Sequence, residues 1–468
     1  MMKLSAFILC CTIYFVSVAQ KTTGPLPSKE QLAWSDMEFY LFIHFGPNTF
    51  SDVEWGNGKE PESRFNPSAL DCRQWCRIAK AAGAKGIIIT AKHHDGFCLW
   101  PSTFSTHTVA YSKWENGKGD VLKNLSDACK EYGLKMGVYL SPWDRNHPAY
   151  GTEKYNVVFE NMMKEVVKNY GQFFEFWWDG ANGEGPNGKK QNYDWHTFEQ
   201  TLRQVAPHTI IFSDIGPDAR WAGNENGFAG ETNWNLLDTA GFKRGEGAPP
   251  VDTLQQGNVF GKNWIPAECD VSIRPGWFYH ANEDSLVKSP QTLFELYMKS
   301  VGRGANLLLN VPPDTRGLIN EKDSAALMGF KKLRDKNFQN NVLKNASFSF
   351  NKNGIEYKNS LLGDDDEKTC IKTGTGDNSG CTFTFEKPEM LNCIELQEPI
   401  AKGQRIRSFS IVLNVTGNKT LEIQGTTIGH KRILYFPQQE VRSFSVIIHS
   451  SKGEPLISEI KAFLIHDE

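Results

Sequence analysis

Along the first two-thirds of the chain, apolar residues recur in two alternating patterns. Runs rich in aliphatic and aromatic residues at 39–44, 86–91, 135–140, 173–178, 209–213, 265–271 and 306–311 predict strands. Between them the apolar positions fall at helical spacing. Trp75, Ile78, Ala79 and Ala82 share one face. Leu122, Leu125, Cys129 and Tyr132 follow a capping Asp120 and stop at Gly133. Phe159, Met162, Met163, Val166 and Tyr170 stop at Gly171, and Phe198, Leu202 and Val205 stop at Pro207. Repeated strand–helix units predict a parallel sheet in an α/β fold. Polar residues at several strand ends favour a closed (β/α)8-like, TIM-type barrel whose mouth is the site. Seven strands are predicted, so an irregular barrel is the alternative. Past residue 340 the helical spacing disappears. Short alternating runs at 347–350, 382–385, 409–413, 421–423, 433–436, 444–448 and 457–463, separated by Gly, Asn and Asp, predict a C-terminal antiparallel β-sandwich. The acidic run 364–367 reads as a solvated loop.

The N-terminus adds a processing signal. Lys3 precedes an apolar stretch over 4–18, and Ser17-Val18-Ala19 resembles a signal-peptidase site. The stretch is too short to span a bilayer comfortably, so the prediction is a cleaved secretory signal. The expected organisation is a signal peptide over 1–19, a catalytic barrel over 20–340 and the β-sandwich over 341–468. Export across the inner membrane to the periplasm follows, with no membrane attachment after cleavage. A net charge of −3 gives no reason to expect a nucleic-acid partner. The 13 tryptophans suit sugar-stacking surfaces and suit a large core equally. Of ten cysteines, two lie in the signal. The other eight show neither a CxxC pair nor zinc-ligand spacing, and no metal or organic cofactor is expected. Cys72 and Cys76, one helical turn apart, are expected to pack as small apolar residues. A disulfide among Cys370, Cys381 and Cys393 is open in an oxidising compartment.

The strand ends carry the chemistry. The first ends at His44-Phe45-Gly46 and the second at Lys92-His93-His94-Asp95-Gly96-Phe97. The third runs into Ser141-Pro142-Trp143, and the fourth closes on Asp179-Gly180. The fifth ends Ser213-Asp214, and the sixth carries Glu268. Asp179 alone would equally cap a helix or make an Asx turn. A barrel gathers all these residues at one mouth, which packing alone does not explain. Three histidines and an aspartate suit a metal-dependent hydrolase. They equally suit a sugar site where imidazoles hold hydroxyls and carboxylates do the chemistry.

Together His44-Phe45-Gly46, Lys92-His93-His94-Asp95-Gly96-Phe97, Phe176-Trp177-Trp178-Asp179-Gly180 and Gly302-Arg303-Gly304-Ala305-Asn306-Leu307-Leu308-Leu309-Asn310 resemble the glycoside hydrolase family 29 α-L-fucosidases. The resemblance covers roughly residues 30–340. It implies a retaining mechanism with Asp179 as nucleophile. The segment Gly223-Asn224-Glu225 resembles the subgroup preferring branched α-1,3/1,4-fucosides, which implies Glu225 as acid/base. Glu268 is the rival acid/base, of a broad-specificity enzyme, and otherwise a substrate-binding residue. Glu231 is expected to support the loop. The resemblance places His44, His93, His94 and Trp55 on the sugar, with one of His93 and His94 alternatively a core residue. Trp277 would pack against the fucose methyl group or serve as barrel packing. Tyr139 and Trp143 fall near the mouth. Leu140 stands where the broader family often has a second tyrosine, which puts a contact there in doubt. Arg303 and Asn310 are expected to brace the barrel. The implied partner is a fucosylated oligosaccharide or glycoprotein glycan. A lectin-like protein that has lost catalysis is a further alternative, which the carboxylates argue against.

Overall fold

The computed structural model describes residues 24–466 apart from 245–248, 351–355, 359–361, 365, 367–368 and 377–378. The predicted signal peptide, and Asp365 and Glu367 of the acidic run, lie outside the described residues. Among the described residues no helix is long and apolar enough to cross a membrane.

Eight parallel strands close into a barrel: β1 Phe39–Ile43, β2 Gly86–Lys92, β3 Lys135–Leu140, β4 Glu175–Trp177, β5 Ile210–Ser213, β6 Ala219–Trp221, β7 Ala267–Ser272 and β8 Asn306–Asn310. Each pairs with the next, and β8 returns to β1. Alternate residues face inward. Tyr40 and Phe42, Tyr139, Trp177, Ile210 and Phe212, and Leu308 form the barrel interior. Their neighbours Leu41, Ile43, Val138, Phe176, Leu307 and Leu309 pack outward against the helices. The predicted helices stop where the sequence places their ends, at Gly133, at Gly171 and just before Pro207. Asp120 accepts from Lys123 N at 2.9 Å, and Gly133 ends that helix at φ 67°, a conformation that costs glycine least.

The strand missing from the seven predicted is β6. It has three residues, no apolar alternation and a central Arg220. That guanidinium is fully buried. It donates to Leu254 O at 2.8 Å, Asn233 Oδ1 at 3.0 Å and Trp234 O at 3.1 Å, and also to Ile265 O. The long β6–β7 connection thus wraps a cation that looks like a loop residue in sequence. Burial holds Arg220 down at about 9, and the four acceptors offset that penalty.

The antiparallel C-terminal domain forms as expected, but two of its strands are longer than predicted. Runs 433–436 and 444–448 belong to one strand, Arg432–Ser451, and Cys381–Gln397 pairs with it. Register irregularities between Thr384 and Glu389 and between Leu391 and Cys393 mark where the ladder bends. The domain packs on the barrel through Lys431, whose Nζ lies 2.5 Å from Glu38 Oε1. Gln404 also bonds Asn235 N at 2.7 Å and Asn233 O at 2.8 Å. Cys72 and Cys76 are buried as expected, and the eight cysteines among the described residues are free. The disulfide considered for Cys370, Cys381 and Cys393 is therefore not formed.

Candidate active site

A pocket of about 190 Å³ opens at the carboxyl ends of the strands. His44, Trp55, His93, His94, Asp179, Glu225 and Trp277 all line it. Residues from three strand ends and three loops thus converge, as closing the barrel requires.

Asp179 follows β4 on the inward phase set by Glu175 and Trp177. Its Oδ1 accepts from Ala181 N at 2.7 Å, and its Oδ2 accepts from Tyr139 OH at 3.0 Å. Both oxygens are thereby oriented while the carboxylate stays about a quarter exposed to the pocket. Burial, then the Asp179 charge, pushes the Tyr139 phenol well up, so it remains a donor.

The three histidines are neutral. Burial is the first cause in each case. It holds His44 down at about 3 and His94 at about 4, and His93 well below the imidazole range. Their hydrogen bonds fix two tautomers. Asn310 Nδ2 donates to Ser272 Oγ at 2.9 Å and Trp277 O at 2.8 Å. Its Oδ1 therefore faces His44 Nδ1 at 2.8 Å and can only accept. Nδ1 carries the proton, and His44 Nε2 is an acceptor. Ser141 Oγ spends its hydrogen on Trp143 O at 2.9 Å, so it accepts from His94 Nδ1 at 2.8 Å. His94 Nε2 is then also an acceptor, 3.6 Å from Asp179 Oδ2. His93 Nδ1 is buried without a partner. Two acceptor nitrogens on buried histidines suit sugar hydroxyls, which donate.

Glu225 stands on the exposed loop after β6, and Trp277 Nε1 donates to its Oε2 at 3.4 Å. Trp277 tilts over His44, with ring centroids 5.1 Å apart. Glu54 clamps its loop, accepting from Trp277 N at 2.8 Å, Phe278 N at 3.0 Å and His280 Nε2 at 2.8 Å. Trp55 is 58% exposed and meets His94 and Trp143 edge-on at 5.6 Å. It forms a rim rather than a floor.

Glu268 is the predicted residue that the structure does not bring to the pocket. It is fully buried in the barrel interior. Its Oε1 accepts from Trp177 Nε1 at 2.8 Å and its Oε2 from Tyr40 OH. Burial, then the charge of nearby Glu175, pushes its carboxyl well up. The expectation of a direct sugar contact is corrected: Glu268 supports Trp177, which lines the pocket. The error has a physical source. Strand position alone does not say how far up the barrel a side chain lies, and Glu268 enters one layer below Asp270. Arg303 and Asn310 lie outside the pocket lining, as braces. Glu231 meets the C-terminal domain through its carbonyl, which accepts from Arg432 at 2.6 Å.

Asp270 was not foreseen. It lines the pocket two residues beyond Glu268 and accepts from Trp221 Nε1 at 2.8 Å. The available signal was the period-2 polar series Glu268, Asp270, Ser272 on one strand face. Trp177 also lines the pocket unforeseen, in phase with Asp179, and Glu54 lines it beside Trp55, where the family resemblance places a hydroxyl-binding aromatic or acidic pair. Among the described residues no three His, Cys, Asp or Glu side chains gather as a metal site would require.

The α-L-fucosidase family model matches residues 52–337, most of the barrel that carries this pocket. α-L-fucosidase 1 of Arabidopsis thaliana is 41% identical over 457 residues, covering 94% of this chain and 88% of that protein. The chain belongs to the glycoside hydrolase family 29 α-L-fucosidases. Among solved structures, a glycoside hydrolase 29 family member from an unknown rumen bacterium superposes with a TM-score of 0.85 at 40% identity, covering 95% of this chain and 78% of that one. A Ruminococcus gnavus family 29 fucosidase in complex with fucose superposes with a TM-score of 0.84 at 29% identity, covering 96% and 97%. This fucosidase therefore acts on fucosylated glycans, and both likenesses span the barrel and the C-terminal domain together.

Proposed function

We propose that this fucosidase is a retaining exo-enzyme that removes α-1,3/1,4-linked L-fucose from branched, Lewis-type glycans. Asp179 attacks the anomeric carbon, and Glu225 protonates the leaving oxygen and then activates water. The observation that carries the reading is one pocket holding an oriented, accessible Asp179 beside neutral histidines, with Glu225 as the exposed carboxyl on the rim. A general acid must serve leaving groups larger than fucose, and a loop position meets them. The histidines hold the ring, and Trp277 and Phe42 supply an apolar wall for the 6-deoxy position. A branching galactose would rest on the loop beside Glu225. The Gly223-Asn224-Glu225 motif supports the narrow linkage preference. The apolar segment 4–18 supports export to the periplasm.

The test compares a Lewis-type trisaccharide with an aryl α-L-fucoside on wild type, Asp179→Ala, Glu225→Ala and Glu268→Gln. The reading expects wild type to prefer the trisaccharide and Asp179→Ala to lose both substrates. Glu225→Ala should keep far more activity on the aryl substrate, whose leaving group needs little protonation. If Glu225→Ala resembles wild type and Glu268→Gln shows the leaving-group dependence, the acid/base moves to Glu268. The linkage preference then falls with it.

A further inference from the structure

Asp270 is the one carboxyl of the pocket that neither the retaining pair nor the loop clamp employs. We propose that Asp270 is a further substrate contact, giving a hydrogen bond to a hydroxyl of the fucose ring from the Glu225 side of the pocket. The inference rests on the reading above for the place of the ring and for Glu225. Asp270 is 5% exposed, yet it lines the pocket, so its small accessible surface faces the sugar space. The Trp221 indole holds Oδ1 at 2.8 Å, which fixes the carboxyl plane and leaves Oδ2 for a ligand. Trp221 is itself placed by β6, where it pairs in register with Glu268 of β7.

The charges around Asp270 say which form of the carboxyl is present. Glu225 faces it from the loop after β6, and Glu268 lies below it on its own strand. Among the described residues no cation pairs with it. Burial first, then Glu225 and Glu268 when they are ionised, push the Asp270 carboxyl well up. A protonated Asp270 also holds the retaining cycle to a single negative charge. Before attack Asp179 is ionised and Glu225 holds a proton; after attack Asp179 is an ester and Glu225 is ionised. A neutral third carboxyl leaves one negative charge at each stage, whereas an ionised one would put two carboxylates in one small pocket. A neutral carboxyl is a donor. It complements His44 Nε2 and His94 Nε2, which accept, so the pocket presents both kinds of partner to the ring hydroxyls.

The experiment measures inhibition by free L-fucose and the pH dependence of aryl fucoside hydrolysis for wild type, Asp270→Asn and Asp270→Ala. The amide of asparagine keeps an acceptor for Trp221 and a donor for the ring. Asp270→Asn should therefore hold fucose within about threefold of wild type at pH 6, and it should keep that affinity to higher pH than wild type does. Asp270→Ala should bind fucose about three- to tenfold more weakly, the span of one neutral hydrogen bond. Should Asp270→Ala not fold, Asp270→Ser replaces it, since a short hydroxyl cannot reach both Trp221 and the ring. Wild-type fucose affinity in the truncated variant overturns the contact. Equal loss in Asp270→Asn and Asp270→Ala at every pH overturns the donor role. Fucose binding needs no proton transfer, so this result stands apart from the fate of Glu225, which the leaving-group comparison decides.

Discussion

Replacing Asn310 by alanine should damage catalysis from beneath the pocket. Asn310 touches no solvent and joins three parts of the site: His44 Nδ1 at 2.8 Å, Trp277 O at 2.8 Å and Ser272 Oγ at 2.9 Å. Each such bond contributes about 1 kcal/mol net, so Asn310→Ala should lose roughly 3 kcal/mol of stability. The catalytic effect is separate. Without the Asn310 acceptor, His44 no longer has a fixed tautomer, and its Nε2 faces the ring as a donor part of the time. Without the amide donor, the Trp277 carbonyl is freed, and the indole that bonds Glu225 shifts with it. A wrong hydrogen bond and a displaced wall should together lower kcat/KM about 10- to 100-fold. Asn306 is the internal control. It lies on the same strand face at the opposite end, where it donates to Trp34 O at 2.7 Å. Asn306→Ala should cost about 1 kcal/mol and leave kcat/KM unchanged. The assays are urea unfolding and aryl fucoside kinetics on the same samples. A folded Asn310→Ala enzyme with wild-type kcat/KM would refute the claim that this residue orients His44.

Two further outcomes follow from buried charge. The histidines are held below the ordinary imidazole value of about 6.5, so the unfolded chain binds more protons than the folded one as acid is added. Their contribution to stability is full above about pH 6.5 and is lost as pH falls toward 4. Urea midpoints at pH 7, 6 and 5 should decline less steeply in His93→Asn than in wild type, and parallel declines would contradict the neutral assignment. Lys431 pairs with Glu38 across the domain junction at 2.5 Å, with both side chains at most one-fifth exposed. Lys431→Ala leaves that carboxylate without its lysine and should cost roughly 2–3 kcal/mol, somewhat under the ~3–5 kcal/mol of a wholly buried pair. An unchanged midpoint would show that the junction contributes nothing to stability.

How much of this was legible in the sequence depended on whether a residue's surroundings were local. Six of the seven predicted barrel strands announced themselves because each buries apolar residues on both faces, and β7 showed through the alternation of Ala267, Cys269 and Val271 with polar residues. β6 did not, because Arg220 is satisfied by carbonyls from residues up to 45 positions away, which no local pattern shows. Asp179 and the histidines were legible as polar residues at the ends of apolar strands. Glu268 was misplaced and Asp270 missed for one reason. Both point inward from β7, and only the closed barrel decides which of two inward residues meets the pocket. The C-terminal strands were recognised by alternation, but strands that bend through irregular register read as two short ones.

The central claim is the division of labour between Asp179 and Glu225, and azide tests it most directly. With an activated aryl α-L-fucoside, Glu225→Ala should still form the fucosyl-enzyme, and azide should then yield α-L-fucosyl azide. In Asp179→Ala, azide takes the place of the missing carboxylate and should yield the β-anomer. Assignment of the two products by NMR decides the matter. α from Glu225→Ala and β from Asp179→Ala is the predicted pair, and the reverse pairing, or no rescue in either variant, would contradict it.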